Sequence, residues 1–295
     1  MNFLKKIFGG AKSGRQSNII ARKGQADVYR VADEEERMNV AIEKARLTLN
    51  YFKQSLVAPR PDQEFFSLKV CIVDGDHAEH IWLDDVSFGS SNIFYGKVGN
   101  NPMSVANVSL GQEVGVGSDD VSDWMIAEDG RLIGVYTIRA LREGLKGSEL
   151  KAFDRKVGMY IDEGVDYFEH DQSTPEGAIL CLEDAYDARD LDQALACKHF
   201  QAEATLLLKK FTFPSDAEMV SKTAEALQLT FIQQLHGEFP SFEGLLRAFP
   251  RREYIDEDLC IVTEVCHYPD GGKSEQRLYV SRKDGLWYVL HPAKP

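Results

Sequence analysis

The chain has no run of apolar residues approaching the roughly 18 that a membrane-spanning helix requires, which argues against an integral membrane protein. It also has no CxxC pair, no HExxH and no GxGxxG fingerprint leading into a helix. The zinc and dinucleotide motifs that announce themselves by spacing are therefore missing. Cysteine is scarce: five in 295 residues, an odd number, so a disulfide framework does not organise the fold. Most of these thiols sit in apolar periodic runs, where cysteine behaves as a small hydrophobe, and a reducing cytoplasm fits them. Positive charge is scarce as well, with 34 Lys and Arg against 47 Asp and Glu and a formal net charge of −13. Six of the basic residues fall before residue 24, where there is no acid. Residues 24–170 carry 15 basic against 26 acidic side chains, and residues 171–295 carry 13 against 21. A body acidic throughout repels phosphate backbones and gains nothing from counterion release, so nucleic acid is excluded as the main partner. A basic protein would be drawn to it.

What is present divides into a leader and two domains. Residues 1–23 read as a basic, Gly- and Ser-containing leader, with Phe3, Leu4, Ile7 and Phe8 too short a run for a secretory signal. After it, Met38, Ile42, Ala45, Leu49, Phe52 and Leu56 recur at helical spacing up to Pro59. Strand-like runs follow at 65–73, 78–83, 93–98, 113–116, 121–127 and 132–138, and the Asp129-Gly130 dipeptide joins the last two as a hairpin. A short helix over 139–145 closes the first domain, 24–170. The second domain, 171–295, starts with Thr174 as N-cap and Pro175 at the first helical position. Helical patterns cover 178–188, 191–211 and 217–236, with a short fourth helix over 242–249. Strands at 259–267, 276–281 and 286–290 then form a meander. The fold class is α+β: two domains, each with helices packed on a mostly antiparallel sheet.

Polar and aromatic residues meet inside strand-like runs at Glu79-His80-Ile81-Trp82 and at Ser122-Asp123-Trp124. Glu79, His80, Trp82, Asp123 and Trp124 are the candidate binding pocket. In an enzyme built there, His80 would be the general base and Asp123 its orienting carboxylate. Against this, nothing nearby supplies a nucleophile or an oxyanion hole, so no catalytic residue is assigned, and the tryptophans read equally as core. His77 and His80 have H-x2-H spacing near Asp74 and Asp76, but strand alternation directs them to opposite faces. Cys197-Lys198-His199, Cys260 and Cys266-His267 read as buried structural thiols. No metal and no cofactor is assigned.

The residues Ala45-Arg46-Leu47-Thr48-Leu49, Glu79-His80-Ile81-Trp82, Ser122-Asp123-Trp124-Met125 and Gly134-Val135-Tyr136-Thr137 together resemble the bacterial YegJ-like family, a domain of unknown function (DUF2314). The resemblance covers about residues 26–165. It departs at Val135, where the family pattern G-G-x-T has a second glycine. It implies a small cytoplasmic α+β domain and no established activity. The C-terminal half has a looser resemblance to the nuclear-transport-factor-2-like fold, in which helices pack in the concave side of a curved sheet and can enclose a small apolar pocket. The functional expectation is a non-enzymatic cytoplasmic protein that sequesters a protein partner, for instance as an immunity protein of a bacterial toxin system. A small-molecule pocket in the C-terminal domain ranks second, and an enzyme using His80 and Asp123 third.

Overall fold

The computed structural model describes residues 26–89 and 92–293, with side chains from residue 34 onward, so the leader lies outside the described residues. The chain divides into two compact units, Met1–Glu163 and Gly164–Pro295. Residues 164–170 belong with the second because Asp166 and Phe168 are tied to its first strand: the Asp166 carboxylate accepts from Phe249 N at 2.8 Å, and Phe168 packs edge-on against Phe249.

The first unit opens with helices α1 (Ala26–Leu47) and α2 (Leu49–Val57). The single helix suggested by the sequence is broken at Thr48, whose hydroxyl turns back onto Lys44 O at 2.7 Å. The sheet comprises β1 (Gln63–Asp74), β2 (His77–Phe88), β3 (Ile93–Val98), β4 (Glu113–Gly117), β5 (Val121–Glu128), β6 (Arg131–Gly134) and β7 (Tyr160–Ile161). Their order is β4-β3-β2-β1-β5-β6-β7, antiparallel except where β7 runs parallel to β6. One face is covered by α2, where Phe52 meets the rings of Phe66, Phe94 and Trp124 at 5.9–6.1 Å. The other buries Trp82, Met125, Ala127 and Leu132 with Val135, Ile138, Val157 and Ile161. Helices α3 (Tyr136–Glu143) and α4 (Gly147–Val157) supply part of that second layer.

The strand expected over 132–138 ends at Gly134, and the helix expected from 139 begins at Tyr136. The cause is a pair of left-handed residues, Gly134 at φ +75° and Val135 at φ +45°, which fold the chain back on itself. Glycine occupies that region freely, whereas a β-branched residue does so only under strain. Val135 is fully buried in the apolar cluster, and that burial offsets the strain.

The second unit begins with α5 (Pro175–Asp187), capped by Thr174, whose Oγ1 accepts from Gly177 N at 3.0 Å. Next come α6 (Leu191–Ala196), α7 (Phe200–Lys210) and α8 (Ala217–Gly237). The one helix expected over 191–211 is interrupted at residues 197–199, because Lys198 forms a parallel bridge to Val289 and Cys197 O accepts from Val289 N at 2.9 Å. Strands β8 (Leu246–Asp256), β9 (Leu259–His267), β10 (Lys273–Lys283) and β11 (Leu286–Pro292) form an antiparallel meander in the order β11-β10-β9-β8. The short helix expected over 242–249 is replaced by a turn and the start of β8. Pairing with β9 claims this backbone, and Pro250, which has no N–H, sits at a bulge between Ala248 and Arg251 on an edge strand.

Candidate functional site

β1 is the reference for the site, since it pairs with both β2 and β5. Lys69 lies opposite Trp82 on one side and Asp123 on the other, and Cys71 lies opposite His80. The next pair on the β5 side is Val70 with Val121, so Ser122 is an extra residue bulged out of register. The bulge lets two consecutive polar side chains, Ser122 and Asp123, serve the same region of the sheet.

His80 and Asp123 are not partners. His80 Nδ1 lies 2.9 Å from Ser122 Oγ, which is also 3.2 Å from Lys69 O. The hydroxyl has one proton, so both contacts are hydrogen bonds when Ser122 donates to the carbonyl and the imidazole donates through Nδ1. Activation of Ser122 as a nucleophile would require the opposite arrangement. Burial, and then the positive charges of Lys69 and Arg46, push the His80 imidazole below its ordinary value. The serine beside it is fully buried.

Asp123 is itself fully buried. Its carboxylate accepts from Trp124 N at 2.9 Å, Tyr136 N at 3.0 Å, Thr137 N at 2.8 Å and Thr137 Oγ1 at 2.5 Å. Tyr136 and Thr137 open α3, so the side chain performs from a distant strand the capping that Val135 cannot supply. Lys69 Nζ donates to Thr137 Oγ1 at 3.1 Å, which completes a Lys69–Thr137–Asp123 chain beside the Trp82 ring. Burial pushes the carboxyl up, and Lys69 with the Thr137 and Trp124 donors opposes it. Burial likewise pushes the Lys69 ammonium down, opposed by Asp123. Four donors on two oxygens are all accommodated by the ionised form.

Trp124 points to the opposite face, where its Nε1 donates to Thr48 Oγ1 at 3.0 Å and its ring meets Tyr51, Phe52 and Tyr136. Trp82 is core on its own face. The five sequence-selected residues thus do not line one pocket, and His77, at the β1–β2 turn opposite Asp74, does not join His80.

Glu79 has a different task. Its carboxylate accepts from three successive backbone N–H groups, Met103 at 2.8 Å, Ser104 at 2.7 Å and Val105 at 3.4 Å. Asp74 Oδ2 takes the next, Ala106 N, at 2.8 Å, and Asn107 Nδ2 donates to Val73 O at 2.8 Å. Residues 99–112 form a loop whose ends are clasped by Val98 N to Gln112 O and Gly111 N to Val98 O. Val105 is buried beneath it, while Met103 is 65% exposed. This is a compact surface loop with its ends together and its tip fixed by carboxylates from the neighbouring hairpin. Nothing in the local sequence announces it. Asn100-Asn101-Pro102 is turn chemistry, but no local signal ties it to an acid more than twenty residues upstream.

Residues 35–161 match the model of a family described as an uncharacterised protein conserved in bacteria (DUF2314). A protein of Neisseria meningitidis serogroup B, named as an ankyrin repeat protein, is 30% identical over 184 residues, 60% of this chain and 68% of that protein. The uncharacterised protein YegJ of Escherichia coli K12 is 36% identical over 108 residues, 37% of this chain and 69% of its own. No solved structure matches. Among the described residues no helix is long and apolar enough to cross a membrane.

Proposed function

The chain belongs to the DUF2314 family of proteins conserved in bacteria, and from that premise we propose that it is a non-enzymatic binding protein that sequesters a protein partner through the loop 99–112. The observation that carries this reading is the Glu79 carboxylate gathering three consecutive loop N–H groups while the methionine beside it stays in solvent. A loop ordered before contact loses little conformational freedom on binding, and an exposed, flexible thioether side chain suits an apolar contact. The acidic surroundings select a basic partner and speed its approach. One relative is named as an ankyrin repeat protein, a name that agrees with a binding role. An immunity protein of a bacterial toxin system would be one protein of this kind. Its five free thiols suit a reducing cytoplasm.

The test is affinity capture from the native host at cell-like salt, comparing the wild-type chain with Met103→Glu and Glu79→Gln. A partner held by the wild type, lost with Met103→Glu and weakened as salt rises is the expected result. Capture unchanged by Met103→Glu, or no partner at all, would sink the reading. His80→Ala should leave capture intact.

A second reading, a ligand pocket in the C-terminal unit, is favoured by one observation. A cleft of about 350 Å³ is lined by Leu206, Lys209, Lys210, Tyr279 and His291, a lining that suits a small anion with an apolar part. A rise in Tm with such a metabolite, removed by Lys210→Ala, would support it.

A further inference from the structure

The second unit buries two acids side by side next to a thiol. Glu183 on α5 and Glu264 on β9 are 2% and 0% exposed, and Cys266, two residues along β9 on the same face, is 4% exposed. One ligand-capable atom from each lies within 4.8 Å of the other two. The two carboxylates are held alike. Glu183 Oε2 accepts from Arg247 Nε at 2.8 Å, and Glu264 Oε2 accepts from Gln276 Nε2 at 2.6 Å. The remaining oxygen of each, Oε1, is buried and meets no other donor among the described residues, and the two carboxyl groups lie within hydrogen-bond reach of each other. The sheet register fixes the supporting groups, with Arg247 directly across from Cys266 and Gln276 directly across from Glu264.

One oxygen tied by an outer donor and the other left bare is how ligating carboxylates are arranged around metal ions. Two facing carboxyls that meet no outside donor repel each other when both are ionised, so the pair calls for an occupant between them. We propose that Glu183, Glu264 and Cys266 bind a divalent cation of the zinc class. Two carboxylates, one thiolate and the Arg247 guanidinium leave a net charge that a dication cancels. A sulfur ligand beside two carboxylate oxygens suits a borderline ion such as Zn²⁺ or Co²⁺ better than Mg²⁺ or Ca²⁺. On binding, the thiol proton leaves to solvent as the Cys266 sulfur takes the metal. With every ligand nine-tenths or more buried, the ion enters as the unit folds, and its role is to join α5 to the sheet. The site lies in the other unit from the loop and does not depend on the binding role proposed for that loop.

The full chain, unfolded and stripped with a chelator, is refolded with Co²⁺ alone and followed by near-ultraviolet absorption. A thiolate-to-cobalt band saturating at one equivalent is expected, as is a rise in Tm when Zn²⁺ replaces the chelator. Cys266→Ser should abolish the band and Cys260→Ser, at a buried thiol outside the cluster, should keep it. Gln276→Leu, which removes a positioning residue, should weaken affinity about 10- to 100-fold while retaining the band. No thiolate band in the wild type at stoichiometric Co²⁺ would overturn the proposal and leave a proton shared between the two carboxyls as the occupant. A band that survives Cys266→Ser would overturn it too. The wild-type spectrum decides even if a variant fails to fold.

Discussion

Replacing Asp123 by Ala separates a structural carboxylate from a catalytic one. The substitution removes the acceptor of four hydrogen bonds, uncaps α3 and leaves the Lys69 ammonium without its carboxylate at the end of the Thr137 relay. Breaking a buried charged pair by deleting one partner costs about 3–5 kcal/mol, a large part of the roughly 5–15 kcal/mol that holds an ordinary domain together. Urea unfolding followed by fluorescence reads it directly, since Trp82 and Trp124 report the first unit and Trp287 the second. The first-unit transition should move by that amount and the second should stay in place. Part of the loss is the orphaned cation, so adding Lys69→Met should recover some of it, with a coupling of about 1–3 kcal/mol. His80→Ala, by contrast, should cost under about 1 kcal/mol. An Asp123→Ala chain within about 1 kcal/mol of wild type, or a Lys69→Met effect that simply adds, would refute the account of Asp123 as a cap and counter-charge.

Gly134→Ala should unfold the first unit outright or cost upwards of about 3 kcal/mol in urea melts, because at φ +75° its Cβ would lie 2.4 Å from Trp124 Cε3 and 2.6 Å from Trp124 O. At the neighbouring position the usual order should reverse, with Val135→Gly at least as stable as Val135→Ala in the same melts, since only glycine relieves φ +45°. Glu79→Gln should change global stability by under about 1 kcal/mol yet speed amide exchange at Met103, Ser104 and Val105, and unchanged protection would contradict the carboxylate's hold on the loop. Burial pushes His80, His199 and His291 below their ordinary 6.5. The unfolded chain therefore binds more protons just below that pH, and stability present above 6.5 should fall as pH drops through the folded values; imidazole titration by NMR checks each residue.

Where a pattern was local, the sequence carried it. The buried helical positions Ala45, Leu49 and Phe52, on either side of the break at Thr48, the Asp129-Gly130 hairpin and the Thr174-Pro175 helix start depend on near neighbours, and each stands where spacing placed it. Where a distant strand claims the backbone, local pattern misled. Leu246, Arg247 and Ala248 pair with β9 rather than coil, and residues 197–199 leave their helix for β11. The candidate site divided on the same line. Asp123 and Trp124 stand out in the sequence, but adjacent strand residues face opposite ways, so one caps a helix and the other fills a core. The Glu183, Glu264 and Cys266 cluster joins positions some eighty residues apart, and no spacing rule reaches that far.

The bulge at Ser122 holds a spare residue within β5. Val121 and Asp123 already pair with consecutive residues of β1, so deleting Ser122 would restore an unbroken ladder and leave Asp123 beside Lys69 and Trp124 in the aromatic layer. Deleting one residue where the ladder is regular, such as Met125, would instead reverse the facing of one side of the strand. A frame-preserving deletion of codon 122 should therefore be far less damaging than one of codon 125.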